Sequence, residues 1–288
     1  MMIKRKIIVS GANGFIGSHV LLQGIKLFPN YQWIATSANA QKAVSKPWFK
    51  KVEFIPYDYL SPKTEIPFSF AEHDVFIHSA WGYLPFFKKE EHLTVELPSQ
   101  KNFLQKCIEK GLKNLTVLGT CYEYGMQEGC LNEEKNPPQA VIPYPKAKVK
   151  LYEWLKERYP NVNLTWMRLF YMYGEGQSEK SLIPQLEKAL AENRPAFDMS
   201  KGDQIRDYQK VEEMAEKIVR IAMLGENNGI VNICSGKPIT ILELVKNYLK
   251  EKNKSITLNT GVYPYPDYEP FAFWGCPEKM NKLLQKSS

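Results

Sequence analysis

The chain has 288 residues, with 38 Lys and Arg against 31 Asp and Glu for a formal net charge of +7, and it is 44% hydrophobic and 24% charged. That balance excludes a disordered polyelectrolyte, a collagen-like repeat and a small disulfide scaffold, and the length suits one large α/β domain or two cooperating lobes. No uncharged apolar run approaches the roughly 18–20 residues that cross a bilayer, and the run after Lys4-Arg5-Lys6 is too short for a signal sequence, so a cytoplasmic location is expected.

Ile7-Ile8-Val9 predicts a first strand, followed at once by Gly11-Ala12-Asn13-Gly14-Phe15-Ile16-Gly17 and a helix over 18–27 that stops at Pro29-Asn30. Further strands are expected over 33–36, 52–55 and 75–77, then an amphipathic helix over 93–110 and a strand over 115–118. A helix over 145–158 and a strand over 164–168 complete an alternating series, which predicts a doubly wound parallel sheet. After Gly174 the alternation breaks. Helices over 182–192, 211–223 and 241–252 and a strand over 230–233 are expected, with a Pro- and Tyr-rich ordered loop over 261–277. The organisation is a sheet domain over 1–172 and a smaller lobe over 173–288, with about 205–236 returning to the sheet.

Cys107, Cys121, Cys130, Cys234 and Cys276 are odd in number and contain no CxxC, so they read as reduced thiols. The four histidines include no HExxH pair, and no metal site is expected. The positive charge is spread out, which points to an anionic small molecule and away from nucleic acid or a membrane surface.

A strand that ends in G-x-x-G-x-x-G and opens a helix suits a pyrophosphate. Gly11 permits the turn, Gly14 admits the phosphates, Gly17 lets helix and strand touch, and the helix N-terminus offers free N–H groups. After the second strand, Thr36-Ser37-Ala38-Asn39 is neutral and Lys42 and Lys46 follow. With no carboxylate to repel a ribose 2′-phosphate, NADP(H) is preferred, and NAD(H) is the alternative. The loop Ser10-Gly11-Ala12-Asn13-Gly14-Phe15-Ile16-Gly17 resembles that of the extended short-chain dehydrogenase/reductase family, the nucleotide-sugar epimerases, dehydratases and reductases. The resemblance implies a Rossmann sheet with cofactor contacts at Gly11, Asn13, Gly14, Phe15, Ile16, Gly17, Ser37, Asp58, Tyr59 and Leu60, and, beside the fourth strand, at Ser79, Ala80 and Trp81.

Tyr-x-x-x-Lys sets both side chains on one helix face, where an ammonium lowers the phenol pKa and makes a proton donor and acceptor. Four pairs match: Tyr59/Lys63, Tyr144/Lys148, Tyr152/Lys156 and Tyr248/Lys252. Pro62 interrupts the first, and the last two lie away from the strand ends where ligands bind. Tyr144 stands at a helix mouth before Pro145, one element after the strand that leads into Gly119-Thr120-Cys121-Tyr122-Glu123-Tyr124-Gly125. That segment is similar to the family's Ser/Thr segment ending in Tyr-Gly, so Thr120, Tyr144 and Lys148 are the expected catalytic trio, and Tyr144 and Lys148 also meet the cofactor.

By the same resemblance, Arg206 in Gly202-Asp203-Gln204-Ile205-Arg206-Asp207-Tyr208 would face a nucleotide diphosphate. Trp81, Thr120, Cys121, Tyr122 and Tyr171 would meet the substrate. Tyr171 replaces the usual Asn of R-x-F-N-x-Y-G, and Glu96 stands where Asn is usual on the fourth helix. Family dehydratases carry Asp-Glu after the catalytic Thr, where this chain has Cys121-Tyr122. Reductases that also epimerise need a Cys and a His, where it has Tyr122 and Ser181. Hydride transfer at a carbonyl remains. The expected activity is NADPH-dependent reduction of a nucleotide-diphosphate 4-keto-6-deoxysugar, dTDP-linked before cytidine, in a homodimer formed through the helices after the fourth and fifth strands. The alternatives are an NAD-retaining 4-epimerase and a non-catalytic dinucleotide sensor or RNA-binding relative.

Overall fold

Seven apolar, largely β-branched runs become the seven strands of one parallel sheet. In the computed structural model, which describes residues 5–61 and 65–287, the chain begins β1 (Lys6–Ser10), α1 (Phe15–Leu27), β2 (Gln32–Ser37), α2 (Ala40–Val44), β3 (Glu53–Pro56), β4 (Val75–His78), α3 (Leu97–Glu109) and β5 (Asn114–Thr120). Next come β6 (Gly129–Leu131), α4 (Pro143–Arg158), β7 (Asn163–Leu169), β8 (Tyr171–Tyr173), α5 (Leu182–Ala191), β9 (Ala196–Asp198) and β10 (Ile205–Lys210). The chain closes with α6 (Val211–Ala222), β11 (Gly229–Ile233), β12 (Pro238–Thr240), α7 (Ile241–Glu251), β13 (Thr257–Asn259), β14 (Phe273–Gly275) and α8 (Glu278–Lys286). Pro62 and Lys63 of the first Tyr/Lys pair, and Lys4 of the basic start, lie outside the described residues.

The sheet order is β11-β7-β5-β4-β1-β2-β3, with every neighbouring pair parallel. Successive side chains point to opposite faces. Ile7 and Val9 therefore join a core with Val20, Leu21, Met214 and Ile218, while Ile8 joins the other with Phe103, Leu104, Ala147 and Leu151. The order reverses between β1 and β4, and a crevice opens at the carboxyl ends of the strands there. α6 packs on α1, and β11 pairs with β7, so residues 211–233 lie on the sheet. The remainder of the second half forms a three-stranded sheet, β12-β10-β8, and the β9–β13 pair, around a separate core of α5 and α7.

Two helix starts differ from expectation. α4 begins with Pro143, so Tyr144 lies inside the first turn and not ahead of it. Ahead of α3, residues His92–Glu96 form a wide turn in which the Leu97 N–H reaches the His92 carbonyl. Pro98 has no N–H to offer the carbonyl four residues back, and the backbone widens to a five-residue step before it.

Cys130 and Cys276 form a disulfide beside the parallel β6–β14 pair. This corrects the expectation of five reduced thiols. The two cysteines are 146 residues apart, and only the tertiary fold brings them together. Cys107, Cys121 and Cys234 are buried and free. Among the described residues, no helix is long and apolar enough to cross a membrane.

Candidate active site

A cleft of about 290 Å³ opens where β1, β2 and β4 end, a size at which small-molecule pockets begin. Its walls include Gly11, Gly14, Ser37, Asp58, Tyr59, Leu60, Ser79, Ala80 and Trp81. Gly11 has φ +69°, and a Cβ there would lie 2.7 Å from the Ala80 nitrogen, so the turn passes the end of β4 only without a side chain. At Gly17 a Cβ would lie 2.4 Å from the Gly11 carbonyl oxygen, which seats α1 directly on the loop. The first turn of α1 has neither a side-chain cap nor an acidic residue, leaving its N–H groups to an anion. These features fit a dinucleotide.

Asn13, Phe15, Ile16 and Gly17 do not form the cleft walls. The Asn13 amide donates to the Asn39 carbonyl at 2.6 Å, tying the loop to the segment after β2. Phe15 packs edge-on against His19. Ser37, Ala38 and Asn39 bring no carboxylate to the end of β2, and beyond them the Lys46 ammonium is lowered by burial and by Lys42.

Tyr144 and Lys148, one turn apart on α4, are both buried. Lys148 Nζ donates to the Leu118 carbonyl at 2.7 Å, lies 3.8 Å from the centroid of the Trp81 ring, and is 6.0 Å from that of Tyr144. Leu118 is two residues before Thr120, so one strand end anchors the ammonium and carries the hydroxyl. The Thr120 hydroxyl accepts the Tyr122 N–H at 3.3 Å, and the Thr120 N–H donates to Glu123 Oε1 at 2.9 Å. This reciprocal cap leaves the hydroxyl proton available to a ligand.

Burial pulls the Lys148 ammonium down to about 7, against the upward pull of Glu123 and Glu96. Burial also pushes the Tyr144 phenol well up, with Glu123, Cys121 and Glu96 adding to it. The expectation of a lowered phenol is therefore corrected: desolvation and the nearby Glu123, Cys121 and Glu96 raise it, and Tyr144 keeps its proton.

Beyond Phe87, whose ring meets those of both Tyr144 and Tyr122, Tyr122 and Tyr171 donate from their hydroxyls to Glu269, at 2.9 and 2.8 Å. Arg206 is buried and pairs with the same carboxylate through Nη2 at 2.9 Å, while its Nη1 donates to the Ile205 and Phe271 carbonyls. The counterion of Arg206 here is the Glu269 carboxylate of the tail, where the resemblance implies a nucleotide diphosphate. Cys121 is buried among core residues, and burial raises its thiol. Glu123, the carboxylate nearest Thr120 in sequence, is held in the interior by Arg168 at 2.8 Å and by Trp166.

Sequence reasoning missed Glu269, Phe87 and His92. The rings of Trp81, Phe87 and His92 lie 5.9, 5.5 and 5.2 Å from that of Tyr144, and the Phe87 carbonyl accepts the Tyr144 N–H. No spacing rule points to a loop aromatic or to a tail carboxylate. Of the competing Tyr/Lys pairs, Tyr248 gives its hydroxyl to Glu187 beside the separate core of α5 and α7, and Tyr152 packs on Trp166.

Residues 7–234 match the model of the NAD dependent epimerase/dehydratase family. The chain is 26% identical over 273 residues to dTDP-6-deoxy-L-talose 4-dehydrogenase (NAD(+)) of Aggregatibacter actinomycetemcomitans, covering 93% of this chain and 98% of that protein. It is 22% identical to GDP-6-deoxy-D-talose 4-dehydrogenase of the same organism, covering 83% and 77%. Among solved structures, the UDP-N-acetylglucosamine 4-epimerase of Methanobrevibacter ruminantium M1, in complex with UDP-N-acetylmuramic acid, superposes with a TM-score of 0.82. The identity is 19%, over 98% of this chain and 92% of that one.

Proposed function

The chain belongs to the NAD-dependent epimerase/dehydratase family, a group of nucleotide-sugar enzymes, and we propose that within it this protein is a reductase of nucleotide-diphosphate 4-keto-6-deoxysugars, probed first with a dTDP-linked substrate. The observation that carries the reading is a buried Tyr144 that keeps its proton one helical turn from Lys148, whose ammonium is tied to the strand that ends at the Thr120 hydroxyl. A carbonyl reduction needs that arrangement, because the donor must hold its proton until an alkoxide forms. The two relatives named as 4-dehydrogenases of 6-deoxytalose nucleotides support the same carbon and the same sugar class. One of those names specifies NAD(+). The neutral end of β2 and the two lysines beyond it favour NADPH in this chain.

Gly11, Gly14 and Ser37 in the cleft would hold NADPH, which would supply a hydride for C4. Thr120 donates to the C4 oxygen and fixes the face presented. Tyr144 passes its proton to the developing alkoxide, and the Lys148 ammonium stabilises the phenolate left behind while holding the cofactor ribose. The residues over 1–172 carry the dinucleotide, and those over 173–288, with Tyr171 and with Arg206 once Glu269 is displaced, carry the nucleotide sugar. Proton abstraction from carbon lacks its groups: Cys121 is buried, Tyr122 is bonded to Glu269, and Glu123 is paired with Arg168. A second copy of the chain is proposed to pair through α3 and α4.

The Y144F variant tests the assignment. It is expected to bind dinucleotide as the parent does and to turn over about 100-fold more slowly or worse, the scale of lost general-acid catalysis. Unchanged turnover would refute the reading.

A further inference from the structure

His92 has no part in the roles above, yet it is fully buried against the working pair. The wide turn ahead of α3 sets both His92 and Glu96 in the interior. The indole N–H of Trp81 can only donate, so His92 Nδ1 is its acceptor, at 3.1 Å. The imidazole proton therefore sits on Nε2, which donates to the Phe86 carbonyl at 3.1 Å. Both nitrogens are engaged and the ring cannot turn. One of its neighbours is the Tyr144 ring, and the indole it holds lies with its centroid 3.8 Å from the Lys148 ammonium.

We propose that His92 is a positioning residue for the Tyr144–Lys148 pair, acting through Trp81, whose indole face it holds against the ammonium. The inference rests on the reading of Tyr144 and Lys148 as the reacting pair. In a dry site an aromatic face favours the charged form of a lysine, which opposes the burial that drives the proton off. The groups facing His92 are Glu91 and Glu96 on its own turn and Lys148 from α4, while Lys89 rests on the nearby Tyr83 and Phe86 rings. Burial outweighs the carboxylates and holds the imidazole below its ordinary value. A doubly protonated ring would set N–H against N–H and release Trp81.

The test is the pH dependence of kcat and kcat/KM for the parent, H92L, H92N, W81F and the W81F/H92L double variant, with Y144F alongside. Asparagine offers an amide oxygen in place of Nδ1. H92L and W81F are expected to move the alkaline limb, where Lys148 loses its proton, to lower pH by about half a unit or more. In both, kcat should fall more than KM changes. H92N is expected to restore the parent profile, and H92L to add nothing in the W81F background. An unmoved limb in W81F, or additive losses in the double variant, would overturn the proposal even if H92L fails to fold. Normal turnover by Y144F would remove the underlying reading and this inference with it, whereas an inactive Y144F beside an unmoved W81F limb would remove the inference alone.

Discussion

Arg206 is buried with two backbone carbonyls and the Glu269 carboxylate around it. A buried guanidinium without a counterion costs several kcal/mol, so Glu269 stabilises it until another anion arrives. On the proposed function, a substrate diphosphate must displace that carboxylate before it can reach Arg206. The E269Q variant removes the competing charge while keeping the size and an acceptor. It is expected to lower KM for the nucleotide sugar by about 3- to 10-fold; a rise in KM would show that Glu269 itself binds substrate. His78 gives a second prediction. Its Nδ1 accepts from Ser10 and its Nε2 donates to Gln100, and burial pulls the imidazole down to about 3. The unfolded chain titrates near 6.5, so it takes up the proton first as the pH falls. The stability is complete above pH 6.5 and declines toward pH 3, with a loss of about 2 kcal/mol between pH 7.5 and pH 5. Urea unfolding at the two pH values measures it, and equal stabilities would mean that His78 takes its proton in the fold.

The strands were legible as short apolar runs because a parallel sheet covered on both faces demands them. All seven expected strands lie in the central sheet. The helices were legible through their period, and Tyr144 through its place at a proline-started helix. The wide turn at His92–Glu96 was not, because periodicity treats residues 93–110 as uniform; Pro98 was the available signal. β6, β8, β9, β12, β13 and β14 are three residues each and depend on distant partners, so no local pattern marks them. The contact of α1 with the glycine loop allows a test at this scale. G17A puts a methyl group 2.4 Å from the Gly11 carbonyl oxygen, and backbone must move to admit it. A loss of about 1–3 kcal/mol in stability, with weaker dinucleotide binding, is expected from urea unfolding and cofactor titration. Parent-like values would mean that the loop and helix are not held together by this contact.

Across the whole molecule, the segment carrying Glu269 is attached at several points. The Cys130–Cys276 bond and the β6–β14 pair hold its far end, and Lys88 reaches Asp267 at 2.7 Å from the loop that covers Tyr144. None of this was legible in the sequence, because each tie joins residues more than a hundred positions apart. What was legible is the half that obeys local rules: the glycine turn, the helix mouth and the strand end with its hydroxyl. On the proposed function the protein is a net reductant of its substrate. Its most direct test follows NADPH oxidation against product formation by NMR, with a dTDP-4-keto-6-deoxysugar as substrate. One NADPH consumed for each sugar reduced at C4 is the predicted result, and inversion at C4 with no net cofactor oxidation would contradict it.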